Sequence, residues 1–408
     1  MPGLEVKRWI VLLALSILLV DLGVAYLLKA IYGNVQFPAI SATLTLQFLP
    51  HTLRAAIFGL VGVALLVFSF LRLQSSVLGP FLPGGSEVGI VDTIFAFRQR
   101  GRGPRVVAIG GGTGLSTLLR GLKEYSANLA AIVTVADDGG SSGRLREEYR
   151  ILPPGDFRQC LVALADAEPL VKQLFDHRFA DGSLGGHSFG NLFIMAMADV
   201  TGDFEHALQA SGRVLRVQGS IVPSTLQDVT LCATVNGSTV EGESKIPKQH
   251  GPISRVFLKP DLPAINPEAA LAILNSELIV VGPGSLYTSV LPNLLVDGMV
   301  QAIKSSPALK VFVCNVASQD GETDGFSVGD YLDVLEQHVG SNLFDYVICN
   351  SNLSHEPTGG QTRVIFDPVE AAARDVRFIL ADVVNERIPS HHDPEKLSKL
   401  IMKKVWQA

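Results

Sequence analysis

Four consecutive apolar residues, Val106-Val-Ala-Ile109, run into Gly110-Gly-Gly-Thr-Gly114 and then directly into Leu115–Lys123, where Leu115, Leu118, Leu119 and Leu122 share one helical face. An apolar run without alternation is the pattern of a strand buried on both sides, and such strands belong to parallel sheets covered by helices. A strand that turns through glycines into a helix amino terminus also presents free backbone N–H groups and the positive end of the helix dipole to an anion, with no Cβ to hold it away. This one segment predicts an α/β fold with a phosphate site at the end of a strand.

The loop fits neither familiar phosphate fingerprint. Read as G-x-G-x-x-G from Gly110 it has Leu115 in place of the last glycine, and the Lys-Ser/Thr pair of the P-loop is absent. Taken alone it is equally a tight connection without a ligand. The next segment shifts the balance. Leu129–Val135 reads as a second buried strand and delivers Asp137 and Asp138 at its carboxyl end, roughly 25 residues beyond the glycines, where doubly wound folds place an acid on a ribose. Gly139-Gly-Ser-Ser-Gly143 then forms another N–H-rich loop that carries Ser141 and leads to Arg144 and Arg146. Capping of a turn or helix is the plainer role for the two acids.

Three more loops read as parts of the same cleft. Pro153-Pro-Gly-Asp-Phe-Arg158 opens an amphipathic helix, with Asp156 either its N-cap or a ligand contact. Gly185-Gly-His-Ser-Phe-Gly-Asn191 precedes a buried helix and offers His187, Ser188 and Asn191. Leu278-Ile-Val-Val281 enters Gly282-Pro-Gly-Ser-Leu-Tyr-Thr288, a second junction of strand, glycine loop and helix, with Pro283, Gly284, Ser285 and Thr288 at the turn. Two such junctions suit two anionic groups or the two ends of one ligand. Elsewhere, Val229–Val235, the Asn236-Gly237 turn signal and Ser238–Glu243 predict a β-hairpin, with Ile253–Leu258 as its third strand. Val311–Cys314 and Tyr346–Cys349 read as further buried strands, each followed by an asparagine, Asn315 and Asn350, at the ligand-facing edge.

Composition adds an amino-terminal region of a different kind. The mean hydropathy of +0.32 is high for a chain with 18% charged residues, and the excess sits in the first 72 residues. Ile10–Leu28 and Ala55–Leu71 are apolar enough, and each falls within the range of about 17 to 25 residues that crosses a hydrocarbon layer, the second only just. Lys7 and Arg8 precede the first run, while Arg72, Arg98, Arg100, Arg102 and Arg105 follow the second. That bias places both ends in the cytoplasm. The expected layout is a membrane-anchoring helical hairpin over 1–78, a linker and juxtamembrane segment over 79–103, and an α/β domain over 104–408. The cell membrane, multi-pass, with the main domain in the cytoplasm, is the expected location. A net charge of -6 and a pI near 5.9 exclude a general affinity for nucleic acid. The four cysteines have no metal-ligand spacing and read as buried strand residues.

The motifs G-G-G-T-G-L, V-T-V-A-D-D-G-G-S-S-G-R-L-R, P-P-G-D, G-H-S-F-G-N and G-P-G-S-L-Y-T-S-V-L-P-N-L-L, in this order between about residues 105 and 405, resemble the gluconeogenesis factor (YvcK) family. That family is similar to the 2-phospho-L-lactate transferase of deazaflavin coenzyme synthesis. The resemblance implies a Rossmann-like doubly wound, mainly parallel sheet with a β-hairpin excursion, here preceded by two transmembrane helices. It also implies UDP-sugar binding and a link to cell shape, cell-wall synthesis and gluconeogenic growth. By the same resemblance Gly110–Gly114 cradle phosphate, Asp137 and Asp138 lie beside the nucleotide, and Asn191 with Gly282–Thr288 closes the opposite side.

Two departures bear on chemistry. The transferase branch has an acid-rich motif suited to a divalent metal where this chain has Gly-His-Ser-Phe-Gly-Asn, and His391-His-Asp393 stands where relatives have a basic residue. The expected function is therefore a nucleotide-sugar-binding regulator that does not consume its ligand. The alternative is a phosphotransferase-like enzyme using Mg²⁺ held by Asp137, Asp138 or Asp156. The candidate ligand-binding set is Gly110, Gly111, Gly112, Thr113, Gly114, Asp137, Asp138, Ser141, Arg144, Asp156, His187, Ser188, Asn191, Gly282, Pro283, Gly284, Ser285 and Thr288. No catalytic residue and no metal site is assigned. Besides the nucleotide sugar and the membrane, a second copy of the chain and cell-wall or metabolic regulatory proteins are candidate partners.

Overall fold

A computed structural model describes residues 100–406 except 168 and 358, together with residues 17, 21, 28, 49, 50 and 53. The two apolar runs and the linker lie almost wholly outside the described residues. Among the described residues no helix is long and apolar enough to cross a membrane. The chain divides into two compact units, Met1–Arg98 and Gln99–Ala408, and the second is the α/β domain.

The first strand, β1 (Val106–Gly110), is buried along its whole length and leads into α1 (Gly112–Leu122). The leucines at helical spacing, Leu115, Leu118, Leu119 and Leu122, are fully buried; each contributes about 2 kcal/mol of transfer free energy. Then come β2 (Leu129–Val133), α2 (Gly140–Tyr149), α3 (Pro154–Leu164), α4 (Pro169–Asp176), α5 (Phe189–Thr201), α6 (Phe204–Val214) and β3 (Ser220–Pro223). The antiparallel excursion is β4 (Thr230–Val235), β5 (Ser238–Glu241) and β6 (Ile253–Lys259), in the order β5-β4-β6. The chain returns through α7 (Pro267–Leu274) to β7 (Leu278–Val281), a π-helical turn (Leu286–Val290) and α8 (Leu291–Leu294). It continues with α9 (Met299–Ser305), β8 (Leu309–Val313), α10 (Val328–Val339), β9 (Tyr346–Asn350), α11 (Pro368–Ala372), β10 (Arg377–Ala381), α12 (Pro394–Leu400) and a π-helical turn (Ile401–Val405).

The main sheet is parallel throughout and runs β10-β9-β8-β7-β1-β2-β3. Its order reverses between β1 and β7, which are direct neighbours in register from Val106 opposite Leu278 to Ile109 opposite Val281. In an open α/β sheet the crevice outside such a reversal is where ligands bind. The two glycine loops leave these two strands at their carboxyl ends, so the fold brings them side by side across a separation of about 170 residues in sequence.

Three local expectations change in the structure. Asp156 is not an N-cap: Pro153 holds that position, and Asp156 lies inside the first turn of α3. The strand expected to reach Glu243 stops at Glu241, because Gly242 turns the chain at φ +108°. The helix after Asn191 is only partly buried, with Gly190, Asn191, Ile194 and Ala198 inside.

Candidate functional site

The carbonyl oxygen of Gly110 accepts hydrogen bonds from Thr134 N (3.0 Å) and from Asn293 Nδ2 (2.9 Å). Across a trans peptide the following N–H points the opposite way, so these two donors aim the Gly111 N–H away from β2. Gly112 takes the left-handed conformation, φ +58°, that starts α1. Gly114 is required by proximity: a Cβ there would lie 2.3 Å from the Pro283 carbonyl oxygen, which is how closely the two glycine turns pack. The N-cap residue of α1 is Gly111, which has no side chain to cap with, and Asp156 lies against the Gly112 N–H; this amino terminus opens on a cleft of about 350 Å³.

Gly111, Gly112, Thr113 and Gly114 line one side of this cleft, with Asp137 and Asp156 beside them. Pro283, Gly284, Ser285 and Thr288 line the second side. Gly110 and Gly282 sit at the strand ends beneath and set the direction of the two turns.

The acids of the cleft are held against ionisation. Burial, followed by the neighbouring Asp137 charge, pushes the Asp156 carboxyl up to about 7, although the Gly112 N–H donates to it. Burial likewise raises Asp137, against hydrogen bonds from the Gly139 N–H and the Ser142 hydroxyl. Glu243, delivered by the turn at Gly242, is pushed up to about 8 by burial and then by Asp137. No lysine or arginine is among the described residues lining the cleft. Its remaining wall is polar and uncharged, with Asn315, Ser318, Gln319 and Gln361. His391 and His392 complete it. His392 is buried, donates from Nε2 to the Cys314 carbonyl oxygen (3.2 Å), and has its pKa lowered by burial to about 4.

The second glycine turn is built differently from the first. The Asn315 amide brackets Gly284, accepting its N–H (3.1 Å) and donating to its carbonyl oxygen (2.9 Å). Ser285 caps the following helical turn by accepting the Thr288 N–H (3.2 Å). Both hydroxyls then donate to buried Glu322, Ser285 Oγ to one carboxylate oxygen and Thr288 Oγ1 to the other (3.2 Å).

The other candidate residues sit elsewhere. Asp138 accepts the Ser244 N–H (2.8 Å) and fastens the turn that carries Glu243. Ser141, His187 and Asn191 form a buried cluster of their own, with Ser141 Oγ 2.9 Å from His187 Nδ1 and the Asn191 amide donating to Ser141 Oγ at 3.1 Å. Ser188 caps α5, and Arg144 donates to the Gly185 carbonyl oxygen (3.0 Å). None of these six is among the residues lining the cleft. Glu243, Glu322, Gln319 and Gln361 were not among the candidates. Residues 315–327 follow a buried strand at its carboxyl end and hold three acids, Asp320, Glu322 and Asp324; that placement marks the loop but does not choose among them. Among the described residues no group of three or more His, Cys, Asp or Glu is placed to hold a metal ion. All four cysteines are buried free thiols.

Residues 106–384 match the family model for 2-phospho-L-lactate transferase CofD. The gluconeogenesis factor of Bacillus subtilis is 43% identical over 311 residues, covering 74% of this chain and 98% of that protein. A relative from Nostoc sp. whose name also contains that term is 43% identical over 415 residues, 98% of this chain and 91% of its own length. A crystal structure of a UPF0052 family member from Bacillus halodurans is 44% identical, covers 74% of this chain and 99% of its own, and superimposes with a TM-score of 0.70. The chain belongs to the CofD family, among the relatives that bear the name gluconeogenesis factor.

Proposed function

We propose that this protein is a regulator that binds a nucleotide sugar, a UDP-sugar in the first instance, and does not consume it. The observation that carries the reading is the first glycine turn at the strand-order reversal, with its helix terminus open to the cleft and its N-cap, Gly111, free of any side chain. Backbone N–H groups at a helix amino terminus suit a diphosphate. The uncharged wall of Asn315, Ser318, Gln319 and Gln361 suits the hydroxyl and amide groups of a sugar or base. The names of the relatives motivate the link to gluconeogenic growth, and the sequence resemblance extends it to cell-wall synthesis and cell shape. The amino-terminal hairpin makes the regulator membrane-anchored with its α/β domain in the cytoplasm. Native mass spectrometry of the purified full chain, followed by calorimetry with the UDP-sugar recovered, tests this reading. A chain that carries no nucleotide and binds none of a UDP-sugar panel would exclude it.

A second reading, phosphoryl or nucleotidyl transfer with Mg²⁺, draws on the acidic side of the cleft and on the CofD family match. Mg²⁺ is commonly held by one or two carboxylates plus substrate phosphates, and Asp137 with Asp156 beside the glycine turn fits that donor set. There it would neutralise phosphate charge. Mg²⁺-dependent release of UMP, UDP or phosphate is the outcome that selects this reading.

A further inference from the structure

The second glycine junction looks from sequence like a second anion site, yet its hydroxyl donors and the Gly284, Tyr287 and Thr288 N–H groups are already taken. Ser285 Oγ, Thr288 Oγ1 and the Tyr287 N–H all donate to the carboxylate of Glu322. Glu322 is 7% exposed and stands behind Ser285 and Thr288, which themselves face the cleft. Each hydroxyl has one proton. Because those of Ser285 and Thr288 point at Glu322 or at each other (Thr288 Oγ1 to Ser285 Oγ, 2.7 Å), the wall has no hydroxyl proton left for a phosphate or carboxylate in the cleft.

We propose that Glu322 is an internal anion that fills the second glycine junction and sets specificity: the cleft takes one phosphate group or diphosphate, against Gly111–Gly114, and excludes a second anionic group from the Ser285–Thr288 side. This inference rests on the nucleotide-sugar reading for the identity of the ligand, but not for the exclusion itself. Gly321, at φ +72°, packs so tightly on the turn after Glu243 that a Cβ would lie 2.0 Å from the Pro247 carbonyl oxygen, so the loop carrying Glu322 cannot swing without moving that turn. Above the value near 7 to which burial raises this carboxyl, its negative charge behind the wall opposes a second anion, an interaction worth about tenfold in affinity in a partly buried site by rough Coulomb arithmetic. A neutral sugar ring meets no such opposition.

The test uses the full chain as wild type, Glu322→Gln and Glu322→Ala at pH 8.5, above the value near 7 to which burial raises this carboxyl. Calorimetry compares UDP-glucose with UDP-glucuronate, which differ by one carboxylate on the sugar, and measures pyrophosphate alone. Wild type should favour UDP-glucose, and either variant should narrow that ratio or tighten pyrophosphate roughly tenfold, because the freed hydroxyls can donate outward. Thermal unfolding identifies which variant is folded, and either one suffices. An unchanged ratio together with unchanged pyrophosphate affinity in a folded variant overturns the proposal. If no chain binds any UDP-sugar at pH 8.5 or at pH 6, the nucleotide-sugar reading falls and the pyrophosphate comparison still decides the role of Glu322.

Discussion

The carboxylate of Asp156 accepts the backbone N–H of Gly112, so an acid from the first turn of α3 is held against the turn that is to receive phosphate. Burial and the adjacent Asp137 make that acid hard to ionise, at a value of about 7. The acid and the glycine turn thus share one electrostatic environment, and the protonation state of the first bears on what the second can bind.

The stability of the ligand-free chain should register this. A carboxyl whose value in the folded protein lies above its unfolded value stabilises the fold below the unfolded pKa of about 4, and that contribution is lost as pH rises through the folded value. Asp156→Asn removes the loss while keeping an acceptor for the Gly112 N–H. The variant should therefore be more stable than wild type at pH 8, by on the order of 1 to 2 kcal/mol, and no more stable at pH 4. Denaturant unfolding at the two pH values reads the difference. An equal difference at both would mean that Asp156 is not held neutral by burial.

Two glycines of the first turn, Gly112 and Gly114, should separate binding from folding. At Gly112 a Cβ meets nothing nearer than 3.8 Å, and the obstacle is φ +58°, a strain of about 1 to 2 kcal/mol for a residue with a side chain. Gly112→Val should fold and lose UDP-sugar binding. At Gly114 the obstacle is the Pro283 carbonyl oxygen. Gly114→Ala should cost about 1 to 3 kcal/mol of stability through overpacking, read as a lower melting temperature. A Gly112→Val chain that binds as well as wild type would remove the turn from the site.

The glycine turns and the β7 junction were legible because each rests on local chemistry: apolar runs, glycines, helical leucine spacing. The three-stranded excursion was legible from Asn236-Gly237 for the same reason. What sequence did not reveal is which loops converge. Asp137 and Asp138 are adjacent, yet one faces the cleft and the other ties down Ser244; that split depends on Gly242 turning the chain back after β5. Ser141, His187 and Asn191 did find one another, but beside the cleft rather than in it. Glu243 and Glu322 carry no motif at all, and only tertiary packing gives them their burial.

Asp138→Asn should act through the turn it anchors. Replacing a charged acceptor with a neutral one weakens its bond to the Ser244 N–H by about 1 kcal/mol. Hydrogen exchange across Gly242–Gln249 should quicken, while UDP-sugar affinity falls less than in Gly112→Val. Unchanged exchange at Ser244 would show that the bond does not hold the turn.

Topology can be read by labelling. The four native cysteines are buried, so a single cysteine placed at Ser41, in the loop between the two apolar runs, should dominate the reaction with an impermeant maleimide. Intact cells should label it from outside. Labelling only after the cytoplasmic side is opened would invert the proposed arrangement.

Binding should depend on pH in a direction set by the acids of the cleft. A UDP-sugar brings a diphosphate, and the cleft meets it with Asp137, Asp156 and Glu243 and no lysine or arginine among its described lining residues. As pH rises through the values near 7 for Asp156 and near 8 for Glu243, each carboxyl that ionises repels the incoming phosphates, at roughly tenfold in affinity apiece. Affinity should thus fall between pH 6 and pH 8.5, and Asp156→Asn or Glu243→Gln should flatten the fall. Mg²⁺ does the work of the missing protons, so it should restore affinity at pH 8.5 and add little at pH 6. Through all of this the ligand should come back intact, since the grip needs only N–H groups and a charge balance, whereas turnover also needs a placed nucleophile. Affinity that does not vary with pH would mean the acids do not face the phosphates. Steady Mg²⁺-dependent release of UMP, UDP or phosphate, abolished in Asp137→Asn, would show that the same acids serve a transferase.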